Sequence, residues 1–488
     1  MVLGQRPWSW REIQRLVEEA RAGLAALEPA GGAVRAGFLA EVVERLRRRV
    51  EARVASRAGL DGGLLELAWL ESPPRPSVPD NGLGGIEADL NPLAQYRDGR
   101  GYGDGVTAAL EAGASFEVAP WLSLQARPRL AASSGSLAPT DASEESTAIE
   151  LRQATARVLV GNLALSLGRE PVFWGPGGGA GLLVSRNPGA LDLLQLSSDA
   201  PFRFPGPFRG LGPARLSAFA ADLGEDREFP GALLFGGKLS VLPHRNLELG
   251  VAVLNLQGGE GAPEASLGER IADLLIVPDL FVSDDYLFSE KIAGGDVRLR
   301  LPELAGLELY LEGALTDFDL RRAGQTFWME AAYQAGLHLA RLGECGASAL
   351  RVEAYHTGVR FYRHHFYVSG LTLRRRVIGS ALGPDGRGAS LEWVHQGRGA
   401  LTLAAAFEER SGDSYVILNE PFEHNIVREE DRPDERRFRL GAAWETLEPW
   451  RGLHLGLEAG LERVTAFDHV GGEARTNGLV LARLSWRR

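Results

Sequence analysis

The stretch "VFWGPGGGAG", residues 172–181, places Gly175, Gly177 and Ala180 at the spacing of a dinucleotide fingerprint, G-x-G-x-x-A. That chemistry needs a strand before the glycines and a helix opening within them. Leu163, Leu165 and Leu167 alternate as a strand would. No helix can follow. Pro176 removes a backbone donor where a phosphate would sit, and Pro188 comes too soon. No Lys follows the glycines, which excludes a Walker loop.

A second constellation is "RFYRHHFY", residues 360–367, followed by "RRR" at 374–376. Arg360, Arg363, Arg374, Arg375 and Arg376 could meet carboxylates of an acidic glycan, with Tyr362 and Tyr367 stacking. The same arginines could instead pair internally with loop acids such as Glu429, Glu430 and Asp431. Adjacent His364 and His365 raise a zinc site. Neighbouring side chains in an extended segment point apart, however, and no second pair matches them, so no metal is expected. Asp284–Asp285 and Asp317–Asp319 raise glycoside hydrolysis, which needs one raised pKa and a defined separation across a cleft. Loop carboxylates are far more often solvated, so no enzyme and no cofactor is expected. No Ser/His/Asp grouping can be argued from order alone.

Composition narrows the field. The 488 residues carry a net charge of −11, which argues against a nucleic-acid partner. A single cysteine, Cys345, cannot form an internal disulfide. Lys238 and Lys291 are the only lysines among 53 basic residues. The bias reflects either a GC-rich genome or a use for the planar, bidentate guanidinium. No run of eighteen apolar residues exists to make a transmembrane helix. The opening MVLGQRPWSW lacks the basic head and apolar run of an export signal. The chain is therefore expected to be either cytoplasmic or a truncated or mis-started form of an exported protein.

Two kinds of element must position these residues. Ser9 and Glu12 form a capping box, and Ile13, Leu16, Val17, Ala20, Leu24 and Leu27 follow on one helical face. A second helical pattern runs from about Ala33 to Ala58. Residues 1–70 are thus read as a small helical bundle, and the Pro-rich 71–82 as a linker. The period then changes to two. "LELGVAVLN" sets Leu247, Leu249, Val251 and Val253 on one face, and "LELYLEGAL" repeats the pattern at 307–315. Alternating segments of about ten residues are the mark of a transmembrane β-barrel, longer than sandwich strands of about five or six.

Eighteen such segments can be placed, from 83–97 and 106–118 to 451–464 and 476–486. The segment at 190–199 is placed partly to keep the count even. Short connections follow the even strands, as at Pro120, Gly161 and residues 243–245, and long ones mostly follow the odd strands. That alternation fits a barrel with short turns on one rim and long loops on the other. The helical bundle is expected at the short-turn rim.

The segments "GREPVFWGPGGGAGLLVSRNPG", "LLFGGKLSVLPHRNLELGV" and "TGVRFYRHHFYVSGLTLRRRVIGSALGPDGRG" resemble the Wzi family of capsule assembly proteins. The family's tryptophan–glycine–proline–glycine run matches Trp174, Gly175, Pro176 and Gly177, and its serine–asparagine stretch resembles Ser185 and Asn187. The resemblance implies an eighteen-stranded outer-membrane barrel over residues 83–488 with a periplasmic helical bundle. It also implies a surface lectin that holds capsular or extracellular polysaccharide on the cell.

On this reading Trp174, Arg186, Asn187, Arg360, Tyr362, Arg363, Arg374, Arg375 and Arg376 are the expected polysaccharide contacts. Trp174 either offers a face to a sugar ring or packs in a loop folded into the lumen. The expected partners are polysaccharide, outer-membrane lipid and polysaccharide export machinery, around a monomer. The alternatives are an outer-membrane channel for saccharides or other small solutes, since eighteen strands can enclose an aqueous pore, or a surface glycan hydrolase.

Overall fold

The computed structural model describes residues 2–27, 33–55, 58–71, 78–89, 92–137, 146–178, 180–274, 289–316, 323–417 and 426–487. Eighteen antiparallel strands close into one barrel: β1 (58–70), β2 (105–119), β3 (122–133), β4 (147–160), β5 (163–170), β6 (191–198), β7 (213–222), β8 (233–244), β9 (247–257), β10 (289–301), β11 (307–316), β12 (331–342), β13 (348–357), β14 (386–396), β15 (399–410), β16 (435–446), β17 (453–465) and β18 (474–487). Closure is made by β18 on β1, with Leu65 opposite Leu484 and Leu67 opposite Ala482. The segment assigned for parity is real: β6 pairs with β5 on one side and β7 on the other.

One strand lies elsewhere than the sequence predicts. The first is β1 at 58–70, not 83–97. In "LLELAWL" Leu65, Leu67 and Trp69 face outward while Glu66, Ala68 and Leu70 are buried. The helical pattern read to Ala58 stops at Ala55. Gly59, Gly62 and Gly63 then disguise the strand's start. A Cβ on Gly63 would lie 2.0 Å from the Trp486 ring, so glycine is what lets the closing strands meet. The Pro-rich stretch is not a linker into the barrel. It belongs to the β1–β2 connection, whose described part runs into the lumen: Val78, Leu83, Ile86 and Ala88 are all buried there.

Outward positions carry leucine, valine and aromatics, exposed around the whole wall: Leu110, Leu165, Val251, Leu311, Leu403 and Leu457 are examples. Inward positions carry charge. Arg129 meets Glu66 at 3.1 Å, Arg483 meets Glu66 at 2.9 Å, and Lys238 pairs with Asp296. Apolar outside and polar inside is the order a lipid bilayer imposes, and the wall spans a membrane. Aromatic residues mark both edges. Trp121, Trp444, Trp450 and Trp486 sit near the short turns, and Trp69, Tyr333 and Phe438 near the long loops. Such girdles belong at the two headgroup layers.

Two helices, α1 (Trp10–Leu27) and α2 (Ala33–Ala55), pack on each other. Ser9 Oγ accepts from the Glu12 amide at 3.1 Å, which caps α1. The Glu12 carboxylate, buried, meets Arg15 at 2.8 Å and lies 3.9 Å from the inward-facing Arg215. Three further contacts fix the pair to the short-turn rim. Arg11 donates to the Pro120 carbonyl at 3.0 Å, Arg45 to Gln396 at 3.2 Å and Arg49 to the Leu447 carbonyl at 2.9 Å.

Candidate functional site

The glycine-rich loop at 172–188 folds into the barrel. Phe173–Trp174 pairs with Gln5–Arg6, an extended piece of the N-terminus that reaches up through the lumen. Glu248 accepts from the Leu3 and Gly4 amides, and the Gln5 amide group bonds the carbonyls of Arg215 and Lys238. Trp174 is 1% exposed and its ring lies 5.2 Å from Phe219. Gly175, at φ 121°, takes a backbone conformation that side chains disfavour, and a Cβ there would meet the Glu312 carboxylate at 2.9 Å. The glycines of the opening motif therefore serve close packing against the wall. Trp174 is no sugar platform.

A second loop, 358–385, lies against the first. Tyr362, 0% exposed, donates to the Leu182 carbonyl at 2.5 Å and accepts from the Ser380 amide at 2.8 Å. Burial holds its hydroxyl pKa well above the ordinary value. Ser185 and Asn187 bond the carbonyls of Gly379 and Val377 at 2.6 and 2.9 Å. Leu182, Leu183, Val184, Phe361, Leu371 and Ile378 fill the space between. Together the two loops and the N-terminal segment pack as a plug inside the lumen.

The expected glycan arginines are mostly engaged within the protein. Arg363 is buried and donates to the carbonyls of Pro79 and Gly84 at 2.7 and 3.2 Å, and burial brings its pKa down to about 10. Arg360, also buried, pairs with Glu330 at 3.1 Å. Arg375 grips Asp89 through two bonds of 3.0 and 3.1 Å, and Arg376 donates to the Arg100 carbonyl at 3.2 Å. Arg186 forks onto Asp98 with two bonds of 2.8 Å. Arg374 is exposed. Of the nine residues, Trp174, Asn187, Arg360, Tyr362 and Arg363 present no open surface. Among the described residues the partners seen for Arg360, Arg363, Arg375 and Arg376 come from residues 78–104 and 323–330 and not from Glu429, Glu430 or Asp431. His364 Nδ1 accepts from the amides of Phe366 and Tyr367, a turn-forming role. Among the described residues no group of three or more His, Cys, Asp or Glu could hold a metal ion. Asp284, Asp285, Asp317 and Asp319 lie outside the described residues.

An open site exists elsewhere on the long-loop rim, and sequence reasoning missed it. Gly386 pairs with Arg410, and Arg410 with Glu435, so the ends of β14, β15 and β16 stand side by side. Above them a cavity of about 540 Å³ is lined by Asp385, Arg387, Glu409, Asp413, Arg428, Asp434 and their neighbours. Arg387 pairs with Glu409, which also takes Arg436 at 2.7 Å. Arg428 bridges Asp413 and Asp431, each at 2.5 Å. Burial, helped by Asp413 and Asp434 and opposed by Arg363, pushes the Asp385 carboxyl up to about 6.

One member of an aromatic pair follows the cavity's lining residue Asp413 in the chain, and neither member lines the cavity. Tyr415, two residues beyond Asp413, lies 6.0 Å from Trp328 of the short helix Ala323–Glu330. Burial and the Asp385 and Asp413 carboxylates push the Tyr415 hydroxyl up to about 12. Trp328 is 49% exposed. Tyr415 is anchored by its amide to the Asn81 carbonyl at 2.9 Å and packs on Leu83, Met329 and Val359. Fixed polar groups around a concavity with an aromatic face alongside suit a hydroxylated ring.

The family model for capsule assembly protein Wzi matches residues 87–479. The chain belongs to the Wzi capsule assembly family. Among solved structures, this family member is similar to Wzi of Escherichia coli, described as a carbohydrate-binding outer-membrane β-barrel involved in group 1 capsule assembly. The TM-score is 0.65 at 16% identity, over 100% of this chain and 94% of that one. It is also similar to the Pseudomonas aeruginosa protein OccD3 (OpdP), with TM-score 0.47 and 11% identity over 88% of this chain and 91% of that one. A third likeness is OccAB2 of Acinetobacter baumannii, with TM-score 0.46 and 9% identity over 87% and 98%. A search of curated protein sequences returns no match.

Proposed function

We propose that this protein is an outer-membrane barrel that binds capsular or extracellular polysaccharide and helps assemble or retain it at the cell surface, without chemical turnover. The long-loop rim faces outward, as in outer-membrane barrels generally, and the helix pair faces the periplasm, where export machinery would meet it. The observation that supports this reading is an open cavity at the ends of β14, β15 and β16, with the Trp328–Tyr415 pair on the same loops' side of a barrel whose lumen holds packed apolar side chains. A closed lumen favours binding over solute passage. Family membership supports the same reading. Arg374 and the partly exposed Arg186, Arg375 and Arg376 belong to the same outer surface as secondary contacts.

The test is binding of labelled surface polysaccharide to the detergent-solubilised chain. Trp328→Ala and Tyr415→Ala are each expected to weaken it by roughly 5–30-fold, the range of an interface residue costing about 1–2 kcal/mol when truncated. Both changes leave every barrel hydrogen bond in place. Unchanged binding in the double variant would remove this site from the function.

A further inference from the structure

We infer that the turn between β6 and β7, residues 201–212, docks anionic phospholipid at the short-turn edge of the bilayer, with Arg203 and Arg209 on the lipid phosphate and Phe208 among its acyl chains.

The turn is long for its rim. The connections on either side of it, 161–162 and 245–246, are two residues each, whereas this one adds "PFRFPGPFRGLG". It is also built. Phe202 and Arg203 pair with Ala214 and Pro213, and the Phe202 and Phe204 rings meet edge-on with centroids 5.1 Å apart. Gly206–Leu211 forms a 3-10 turn, stiffened by Pro205 and Pro207. Gly212 has φ 74°, and a Cβ there would lie 2.0 Å from the Leu242 carbonyl, so glycine is what lets the turn close back on β8.

The turn lies on the outer face of the wall. Along β7, Arg215 and Ser217 are buried inward while Leu216 is exposed to the lipid side. By the same alternation Ala214 and its partner Val241 point outward, yet both are buried. The 3-10 turn packs on β8 and supplies their cover. The turn is therefore continuous with the lipid-facing surface, on the rim that carries Trp121 and Trp450.

Two features select the occupant. The first is apolar. No residue of 206–211 is buried, and Phe208 is 62% exposed with Leu211 exposed beside it. An exposed aromatic at the edge of a lipid-facing wall gains by entering the acyl boundary. The second is charge. No Asp or Glu occurs at 200–213 or 241–247, in a chain of net charge −11. Arg203, Arg209 and Arg245 of the adjoining turn are exposed, and among the described residues none of them makes an ion pair. A guanidinium fork fits a phosphate through two parallel hydrogen bonds. An anionic phospholipid satisfies both features at once. A free phosphate leaves Phe208 in water, and a zwitterionic lipid cancels its phosphate with its own ammonium.

The experiment is native mass spectrometry of the purified full chain in detergent. The chain is titrated with dioctanoyl phosphatidylglycerol, with dioctanoyl phosphatidylcholine and with inorganic phosphate. Phosphatidylglycerol should be retained most strongly. Arg203→Gln combined with Arg209→Gln should weaken its retention roughly 25-fold, about fivefold for each guanidinium near an anionic lipid. The same variant should keep its melting temperature and its polysaccharide binding, because neither side chain has an ionic partner to lose. Phe208→Ser should weaken both lipids. Equal retention of the two lipids, or undiminished phosphatidylglycerol retention by the double arginine variant, would overturn the inference. Inorganic phosphate that displaces phosphatidylglycerol at equal concentration would also overturn it, by reducing the surface to an anion site.

Discussion

Replacing residues 173–187 and 361–383 with short glycine–serine links is expected to turn a silent protein into one that conducts ions in stepwise events across a planar bilayer. The full chain should show no sustained steps. An eighteen-strand wall is wide enough for water once its contents are removed. The contents here are apolar and interlocked. Leu182, Phe361, Tyr362 and Ile378 are all fully buried, and Tyr362 joins the two loops through Leu182 and Ser380. The replacement is feasible because both loops start and end on paired residues, Glu170 opposite Leu191 and Thr357 opposite Gly386. Barrel register is held by the strand ladders, so the shortened chain should still fold. Steady conductance by the full chain would contradict the plug.

Trp174→Ala should be the most destabilising single change outside the wall, at about 3–5 kcal/mol. The ring sits against Phe219, its backbone bonds Val184 at 3.1 Å, and a Cβ on Gly236 would come within 2.9 Å of it, so no space exists for neighbours to fill. The expected result is a lower melting temperature in detergent with sheet content unchanged. Trypsin should then cut at Arg186 and Arg375, which the native plug protects through Asp98 and Asp89. Polysaccharide binding lost with stability and proteolysis unchanged would restore Trp174 as a ligand platform.

The wall was legible because each strand divides two solvents. Lipid on one side and charge on the other force strict alternation, as at Leu307, Leu309 and Leu311 against Glu308, Tyr310 and Glu312. β1 escaped because Gly59, Gly62 and Gly63 carry no side chains to alternate, and the helical pattern before it runs on. Residues 83–97 look like a strand in the sequence because apolar side chains that pack on a plug, such as Ile86 and Ala88, fall at strand positions.

The site was hidden for a different reason. An arginine that pairs with Asp89 or donates to a backbone carbonyl has the same letter as one that grips a sugar acid. Nothing in "RFYRHHFY" tells which carboxylates lie overhead. Asp385, Asp413, Tyr415 and Trp328 are spread over three loops. Asp385, Asp413 and Tyr415 come together because β14, β15 and β16 are neighbours in register, and Trp328 reaches Tyr415 from the helix before β12, which sequence order alone does not reveal. The signal available was modest: an aromatic at 415 flanked by Asp413 and Arg428 in a long loop.

The central claim is that saccharide is held at the outer rim and not in the lumen. The direct measurement is photo-crosslinking of the full chain in detergent with diazirine-tagged oligosaccharides, followed by mass spectrometry of the peptides. Adducts are expected on the peptides that carry Trp328, Asp385 to Arg387, and Asp413 to Tyr415, and they should be competed away by untagged saccharide. Competed adducts confined to Trp174, Tyr362 or the Arg374–Arg376 hairpin, with none at the rim cavity, would contradict it.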